Sequence, residues 1–400
     1  MRVVISPSVA KGRVSAPPSK SMAHRALICA ALSKKSTVSN VALSRDIEVT
    51  LDCLKKMGAF VEQRDNTFTL GGLDPTDIPD GTELYCHESG STLRFIIPLC
   101  MLGKGKSVIT GAPRLMERPL LVYEKLAQEL GIEFYKKDGK ITVGGGLHAG
   151  DYSVQGDVSS QFITGLLLAL STLPEKSTIS VTGNFESASY TDLTVFSLNE
   201  FGKRVTKDGR VFTVLPSDFA NTCHTVEGDY SNSAYLDALS LIGGDVEVTG
   251  LLGNTLQGDA IYRDYFKRMS KGYDTFDISD CPDNAPILFA MASVLNGGEF
   301  TGTARLKIKE SDRAEAMRCE LAKVGVSVTV EENRVIIPKM PLTAPSTPIS
   351  SHNDHRIAMA MAVLLTLTGG EIEGAEAVNK SFPDFWEKLQ ELQIGLEIYA

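Results

Sequence analysis

The sequence predicts an α/β (α+β) protein of two domains, assembled from six repeats of a βαβαββ-type unit, three to each domain. Three observations carry that expectation. Similar helix starts recur at a nearly constant interval. Most are followed by a second, more amphipathic helix that ends at a glycine. After that glycine comes an alternating strand, a polar turn and another alternating strand. The chain has 400 residues, enough for two full cores, and its 43% hydrophobic and 22% charged residues are those of a globular protein rather than a disordered one.

The first helix start is "SAPPSKSMAHRALICAAL", residues 15–32. Pro17 and Pro18 hold the approach extended, and Ser19 is placed to cap the helix that begins after it. Met22, Ala23, Ala26, Leu27, Ala30, Ala31 and Leu32 form an apolar stripe at helical spacing. Lys20, Ser21 and Arg25 stand in or beside the first turn, where unpaired backbone N–H groups favour an anion. Comparable starts are "ESGSTLRFIIPLCML", "VSSQFITGLLLAL", "YSNSAYLDALSLI", "CPDNAPILFAMASVL" and "HNDHRIAMAMAVLL". Measured at Lys20, Gly90, Ser160, Asn232, Asn284 and His355, the intervals are 70, 70, 72, 52 and 71 residues. These helices are apolar nearly all round, so each is expected to be surrounded by other elements.

The second helices are "DIEVTLDCLKKMG", "RPLLVYEKLAQELG", "YTDLTVFSLNEFG" and "DRAEAMRCELAKVG", ending at Gly58, Gly131, Gly202 and Gly325. "AFVEQRDNTFTLGG", "IEFYKKDGKITVGG", "KRVTKDGRVFTVLP" and "VSVTVEENRVIIPK" come after them as strand, turn and strand. The short fourth interval, with an outer helix expected at 258–271, marks a trimmed unit. Residues 1–18 together with 228–400 are expected to form one domain and 19–227 the other, leaving the strand "MRVVIS" to complete the first. Several inner helices starting in one place would aim their positive ends at one cleft.

Charge narrows the partners. Forty basic against 49 acidic residues give a net charge of -9, which excludes bulk attraction to nucleic acid or an anionic membrane but leaves room for a small anion held by local arginines. The amino terminus lacks a signal-like apolar segment, and "IAMAMAVLLTL" is too short to span a bilayer, so a cytoplasmic protein is expected. Seven scattered cysteines suit reduced core packing. His352 and His355 form an HxxH, but nothing supplies the acidic or cysteine ligands of a convincing zinc site, and the sequence offers no redox centre or nucleotide-binding glycine loop, so neither a metal nor a cofactor is expected.

In order along residues 17–386, "PPSKSMAHRAL", "MERP", "SSQF", "KESDR", "NDHRIAMA" and "KSFPDF" resemble the 5-enolpyruvylshikimate-3-phosphate synthase family. The resemblance implies a two-domain inside-out α/β barrel, a monomer, with substrates bound in the interdomain cleft. It implies transfer of the enolpyruvyl group of phosphoenolpyruvate to the 5-hydroxyl of shikimate 3-phosphate, with loss of phosphate through a tetrahedral intermediate. By the same resemblance Lys20, Arg118, Arg313, Arg356 and Lys380 meet phosphoenolpyruvate, and Lys20 assists at the departing phosphate. Ser21 and Arg25 seat the shikimate portion. Ser159, Ser160 and Ser187 meet its phosphate, and Gln161 lies at the substrate junction. Gly90 and Arg94 form the glycine-rich helix start. Asp283 faces the attacking hydroxyl as orienter or general base, Glu310 handles the proton at the enol methylene, and Lys309 and His355 shape the charge beside them. Asp312 and Asp354 are supporting carboxylates, Asp354 read as a helix cap.

Two positions depart from the family pattern. Glu88 stands where asparagine is usual, which would repel an anion unless paired, and Arg305 stands where asparagine is often found. Two other readings share parts of the pattern: enolpyruvyl transfer to UDP-N-acetylglucosamine, whose loop cysteine is missing from "TGAPRLMERPLL", and a noncatalytic anion-binding scaffold built from the same repeats.

Overall fold

Ser19, Ser89, Ser159 and Asp229, each 70 residues after the one before, are the N-caps of four long helices. Each cap oxygen accepts a first-turn N–H, from Met22, Thr92, Gln161 and Asn232 respectively. The computed structural model describes residues 1–400 and contains six such inner helices: Lys20–Leu32, Gly90–Cys100, Ser160–Leu170, Tyr230–Leu241, Ala285–Val294 and His355–Thr368. Their burial follows from their composition. In Ser160–Leu170 only Gln161 escapes burial, and in the last inner helix every residue from His355 to Thr366 is buried. The fifth begins one residue later than the repeat spacing predicts. Pro282 starts a 3₁₀ turn, Pro282–Asn284, and the α-helix takes over at Ala285.

The outer helices are Arg45–Lys56, Leu121–Leu130, Ala188–Glu200, Tyr262–Lys271, Arg313–Lys323 and Phe385–Glu391. The second starts at Leu121, because Pro119 and an extended Arg118 separate it from a short helix, Pro113–Glu117. It stops at Gly131, whose φ of 66° is the left-handed cap that glycine adopts without strain. The last outer helix has seven residues, too few to show a periodicity in the sequence.

Each hairpin forms where the alternating pattern puts it. Phe134–Lys137 pairs antiparallel with Lys140–Val143 through Asp138 and Gly139, both at positive φ, as a two-residue hairpin turn requires. Five sheets have four strands and one plan, seen in Asp151–Gln155, parallel to Ser177–Thr182, which pairs antiparallel with Val211–Leu215 and through it with Arg204–Asp208. The fourth repeat keeps only a parallel pair, Lys11–Ser15 with Asp245–Thr249, and lacks the hairpin. In the sixth sheet Arg2–Ile5 lies between Gly370–Glu373 and Leu396–Tyr399, antiparallel to both, in the place a second hairpin strand takes elsewhere. In the first repeat the parallel edge strand is Cys223–Thr225, beside Ser36–Ser39.

By its contacts the chain divides into two compact units, Met1–Pro17 with Gly228–Ala400, and Pro18–Glu227. Each has its own apolar core. In the unit of residues 18–227 the second and third inner helices pack with almost no side chain between them. A Cβ on Gly165 would fall 2.3 Å from the Arg94 carbonyl oxygen and 2.4 Å from the Tyr123 hydroxyl. That hydroxyl donates to the carbonyls of Arg94 at 2.7 Å and Phe162 at 3.2 Å, tying the two helices together. Gly165→Ala is therefore expected to destabilise this unit by about 3 kcal/mol, since the obstructing atoms are backbone and a hydrogen-bonded ring. Urea unfolding followed by circular dichroism measures the loss. The single tryptophan, Trp386, lies in the other unit and reports that unit's transition separately.

Candidate active site

In the unit of residues 18–227 the polar residues of the inner helices cluster at their N-terminal ends, where the first-turn N–H groups point out of the helix. Lys20 is the first residue of its helix. Its Nζ lies 2.9 Å from Oδ2 of Asp46, which stands in the first turn of the adjacent outer helix. At the second start, a Cβ on Gly90 would sit 2.6 Å from a terminal nitrogen of Arg118 and 2.9 Å from one of Arg94. Glycine is required here because two guanidinium tips occupy the space over the helix end. Both arginines are buried. Arg94 donates to Gln161 Oε1 at 2.9 Å, and Gln161 Nε2 donates to Ser91 Oγ at 3.0 Å, so the third helix start is joined to the second.

Ser159 caps the third inner helix, and Ser160, just inside it, is buried. Ser187 holds the cap position of an outer helix at φ 55°, an uncommon conformation for a residue other than glycine. Arg25 lies one turn inside the first helix. It donates to the Ser21 carbonyl at 2.7 Å, Thr194 Oγ1 at 2.9 Å, the Tyr190 carbonyl at 2.9 Å and Thr164 Oγ1 at 3.4 Å. Burial pulls its pKa down to about 10, against the opposing influence of Tyr190.

The other unit is organised around Arg313, which is 1% exposed. Its three nitrogens donate to three different carboxylates: Nε to Asp354 at 2.9 Å, and the two terminal nitrogens to Asp283 at 2.7 Å and Glu310 at 2.8 Å. A guanidinium has five N–H donors, so two remain beyond these three bonds. Asp283 also lies 3.5 Å from Lys309 and 3.5 Å from Arg356. Burial alone would raise the Asp283 pKa, but Lys309, Arg356 and Arg313 together hold it well below the usual carboxylate range. Burial lowers the pKa of Lys309, which Arg313 and Arg305 reinforce and Asp283 opposes. The cluster thus pairs an ionised carboxylate with an ammonium that gives up its proton more readily than a free lysine.

Asp354 is fully buried and caps the last inner helix through the Arg356 N–H at 2.9 Å, so its role as a cap and its bond to Arg313 are one arrangement. Two successive left-handed residues, His352 and Asn353, bend the chain into that cap. His355 Nδ1 lies 3.8 Å from Asp354 Oδ1, and Lys380 donates to the Asn353 carbonyl at 2.5 Å. Asp312 caps its own helix by accepting from Glu315 N. Of the two departures, Glu88 lies 3.9 Å from His87 Nδ1, and Arg305 donates to the Ser279 carbonyl at 2.9 Å.

Sequence reasoning missed four contributors. Asp46, the partner of Lys20, looked like an ordinary first-turn acid. Ser231 and Asn232 hold the terminal nitrogens of Arg356 at 2.8 and 3.3 Å, and Ser381 in turn accepts from Asn232 at 2.9 Å. Asn232 marked the fourth repeat in the sequence, and its position at a helix start was the available signal.

The family model described as EPSP synthase (3-phosphoshikimate 1-carboxyvinyltransferase) matches residues 5–274 and 268–389. Proteins named 3-phosphoshikimate 1-carboxyvinyltransferase are similar over nearly the whole length. That of Clostridium kluyveri is 39% identical, covering 98% of this chain and 97% of its own. That of Clostridium acetobutylicum is 36% identical with the same coverage. The solved structure of EPSP synthase from Acinetobacter baumannii shares the fold, with a TM-score of 0.79, 23% identity and full coverage of both chains.

Removing the shared cation is expected to cost the most. Arg313→Met leaves Asp283, Glu310 and Asp354 without it, and an uncompensated buried charge of this kind costs about 3–5 kcal/mol. A fall in the urea midpoint of Trp386 fluorescence measures the effect. In the unaltered protein Asp283 has a folded-state pKa below its unfolded value. Its stabilising contribution is therefore complete above the ordinary carboxylate range, and is lost only as pH falls through the depressed value.

Proposed function

This chain belongs to the EPSP synthase family, and on that premise we infer that it is a 3-phosphoshikimate 1-carboxyvinyltransferase. It transfers the enolpyruvyl group of phosphoenolpyruvate to the 5-hydroxyl of shikimate 3-phosphate. The enol C3 gains a proton as the 5-oxygen bonds to C2, and the tetrahedral adduct then loses phosphate and a C3 proton. The observation that best supports this reading is the Arg313 cluster, in which Asp283 and Glu310 share one buried cation and Asp283 also faces Lys309.

In this reading the work is divided. A carboxylate held well below its usual pKa is a weak base but a strong hydrogen-bond acceptor, so Asp283 orients the 5-hydroxyl and stabilises positive charge as its proton leaves. Lys309, 3.5 Å from Asp283 and with its pKa lowered by burial, takes that proton when its amine is neutral. Glu310 serves the methylene carbon, and His355 shapes the field beside them. Lys20, Arg118, Arg313, Arg356 and Lys380 hold phosphoenolpyruvate, with Gly90 and Arg94 at the helix start beneath Arg118. Ser159, Ser160 and Ser187 hold the phosphate of shikimate 3-phosphate, with Ser21, Arg25 and Gln161 around its ring. We take the protein to act as a cytoplasmic monomer without a cofactor; no helix is long and apolar enough to cross a membrane.

The direct test mixes purified protein with both substrates in chelator-treated buffer and follows phosphate and the organic product by mass. Stoichiometric phosphate and enolpyruvylated shikimate phosphate, both lost when either substrate is omitted, are expected. Product formation with UDP-N-acetylglucosamine instead, or binding without turnover, overturns the reading. Asp283→Asn and Glu310→Gln are expected to bind both substrates while losing about 10²-fold or more in single-turnover rate. Arg118→Ala is expected to raise the KM for phosphoenolpyruvate.

A further inference from the structure

Four buried groups in the unit of residues 18–227, none of them assigned to substrate binding or proton transfer, form a continuous chain. His24 Nδ1 lies 2.9 Å from Thr50 Oγ1, Thr50 Oγ1 lies 2.6 Å from Thr92 Oγ1, and Thr92 Oγ1 donates to Ser89 Oγ at 2.7 Å. Their exposures are 1% for His24 and 0% for the other three. The chain joins three elements: the first inner helix at His24, the first outer helix at Thr50, and the start of the second inner helix at Ser89 and Thr92.

Hydrogen bookkeeping gives the chain a direction. His24 Nε2 is buried and has no partner. Orphaned buried N–H donors are rarer than under-satisfied acceptors, which places the imidazole hydrogen on Nδ1. His24 then donates to Thr50, Thr50 to Thr92, and Thr92 to Ser89. The Thr50 hydroxyl also donates to the Asp46 carbonyl at 3.2 Å, the longer of the two contacts it donates, which ties Asp46 to the same chain. Burial, with Lys20 and Arg25 nearby, holds the His24 pKa well below its ordinary value, so the ring stays neutral and the direction does not reverse.

Two members of this chain, Thr50 and Ser89, adjoin anion-binding groups. Asp46, one turn before Thr50 on the same helix, holds Lys20, and Ser89 caps the helix whose first residue, Gly90, lies under the tips of Arg94 and Arg118. We propose that Thr50 is a positioning residue for phosphoenolpyruvate, its hydroxyl fixing the Lys20–Asp46 pair against the Gly90 helix start so that Lys20 and Arg118 are set for one ligand. The proposal rests on the enolpyruvyl-transfer reading. Without the hydroxyl, His24 and Thr92 each lose a buried partner and the two helix starts are free to shift.

The test compares Thr50→Val, nearly the same shape without the hydroxyl, with Thr50→Ser, which keeps it. Calorimetry gives the phosphoenolpyruvate Kd in the presence of shikimate 3-phosphate, steady-state kinetics gives KM and kcat, and ¹⁵N NMR gives the His24 tautomer. Thr50→Val is expected to weaken Kd and KM about five- to tenfold with kcat changed less than about twofold, and Thr50→Ser to stay within about twofold of the unaltered protein. Thr92→Val is expected to match Thr50→Val, and the double variant to be no worse than either, as for groups that act as one chain. His24 is expected as the Nδ1–H form between about pH 6 and 8. Unchanged affinity in folded Thr50→Val, no rescue by serine, or an Nε2–H tautomer overturns the proposal. If Thr50→Val does not fold, Thr92→Val and the tautomer decide. An unaltered protein that binds no phosphoenolpyruvate removes the functional reading and the proposal together, whereas normal binding with an indifferent Thr50→Val removes the proposal alone.

Discussion

A helix buried on every side can present polar chemistry only at its ends, and the architecture follows from that constraint. The six inner helices spend nearly all their side chains on packing, so caps, cations and acids gather in the first turn or just before it. There the backbone already offers N–H donors and a partial positive charge. Arginines delivered to such places need their own supports. In one unit these are neutral groups, Gln161 for Arg94 and the threonine hydroxyls and carbonyls around Arg25. In the other they are carboxylates, three of them on Arg313.

That difference sets what each set of residues can do. Neutral supports hold Arg25 in place without neutralising its charge. The Arg313 cluster brings acids and bases together and pushes them from their ordinary ionisation, Asp283 downward by its neighbouring cations and Lys309 downward by burial first. The result is a carboxylate that stays ionised beside a lysine that gives up its proton more readily than a free one. Asp354 shows how economically the cluster is built, since one carboxylate caps a helix and fixes the orientation of Arg313.

The sequence was most informative where the determining interactions are local. Caps, apolar stripes, terminal glycines and hairpin turns depend on residues within a few positions of one another, and the inner and outer helices appear close to where those signals put them. The fifth inner helix slipped by one residue because Pro282 favoured a 3₁₀ turn ahead of it. The seven-residue last outer helix was too short to read. The candidate site residues were named from motifs, which gave no sign of the partners the fold brings to them. Lys20 and Asp46 are 26 residues apart, Arg25 and Thr194 are 169, and Arg356 and Asn232 are 124. No periodicity links such positions. Thr50 and Thr92 illustrate this best, as each looks like an ordinary helical threonine until the fold sets their hydroxyls 2.6 Å apart.

The strand Arg2–Ile5 lies between two strands near the opposite end of the chain, one of them Leu396–Tyr399. During synthesis it is made long before Gly370–Glu373 and Leu396–Tyr399 and must wait for them before it has a sheet to join. Residues 18–227 contain a complete core and every strand of their own three sheets, so they are free to fold while the remainder is still being translated. Arg2–Ile5 is thus a pending edge while the intervening residues are made, and its pairing is a closing step that needs Gly370–Glu373 and Leu396–Tyr399.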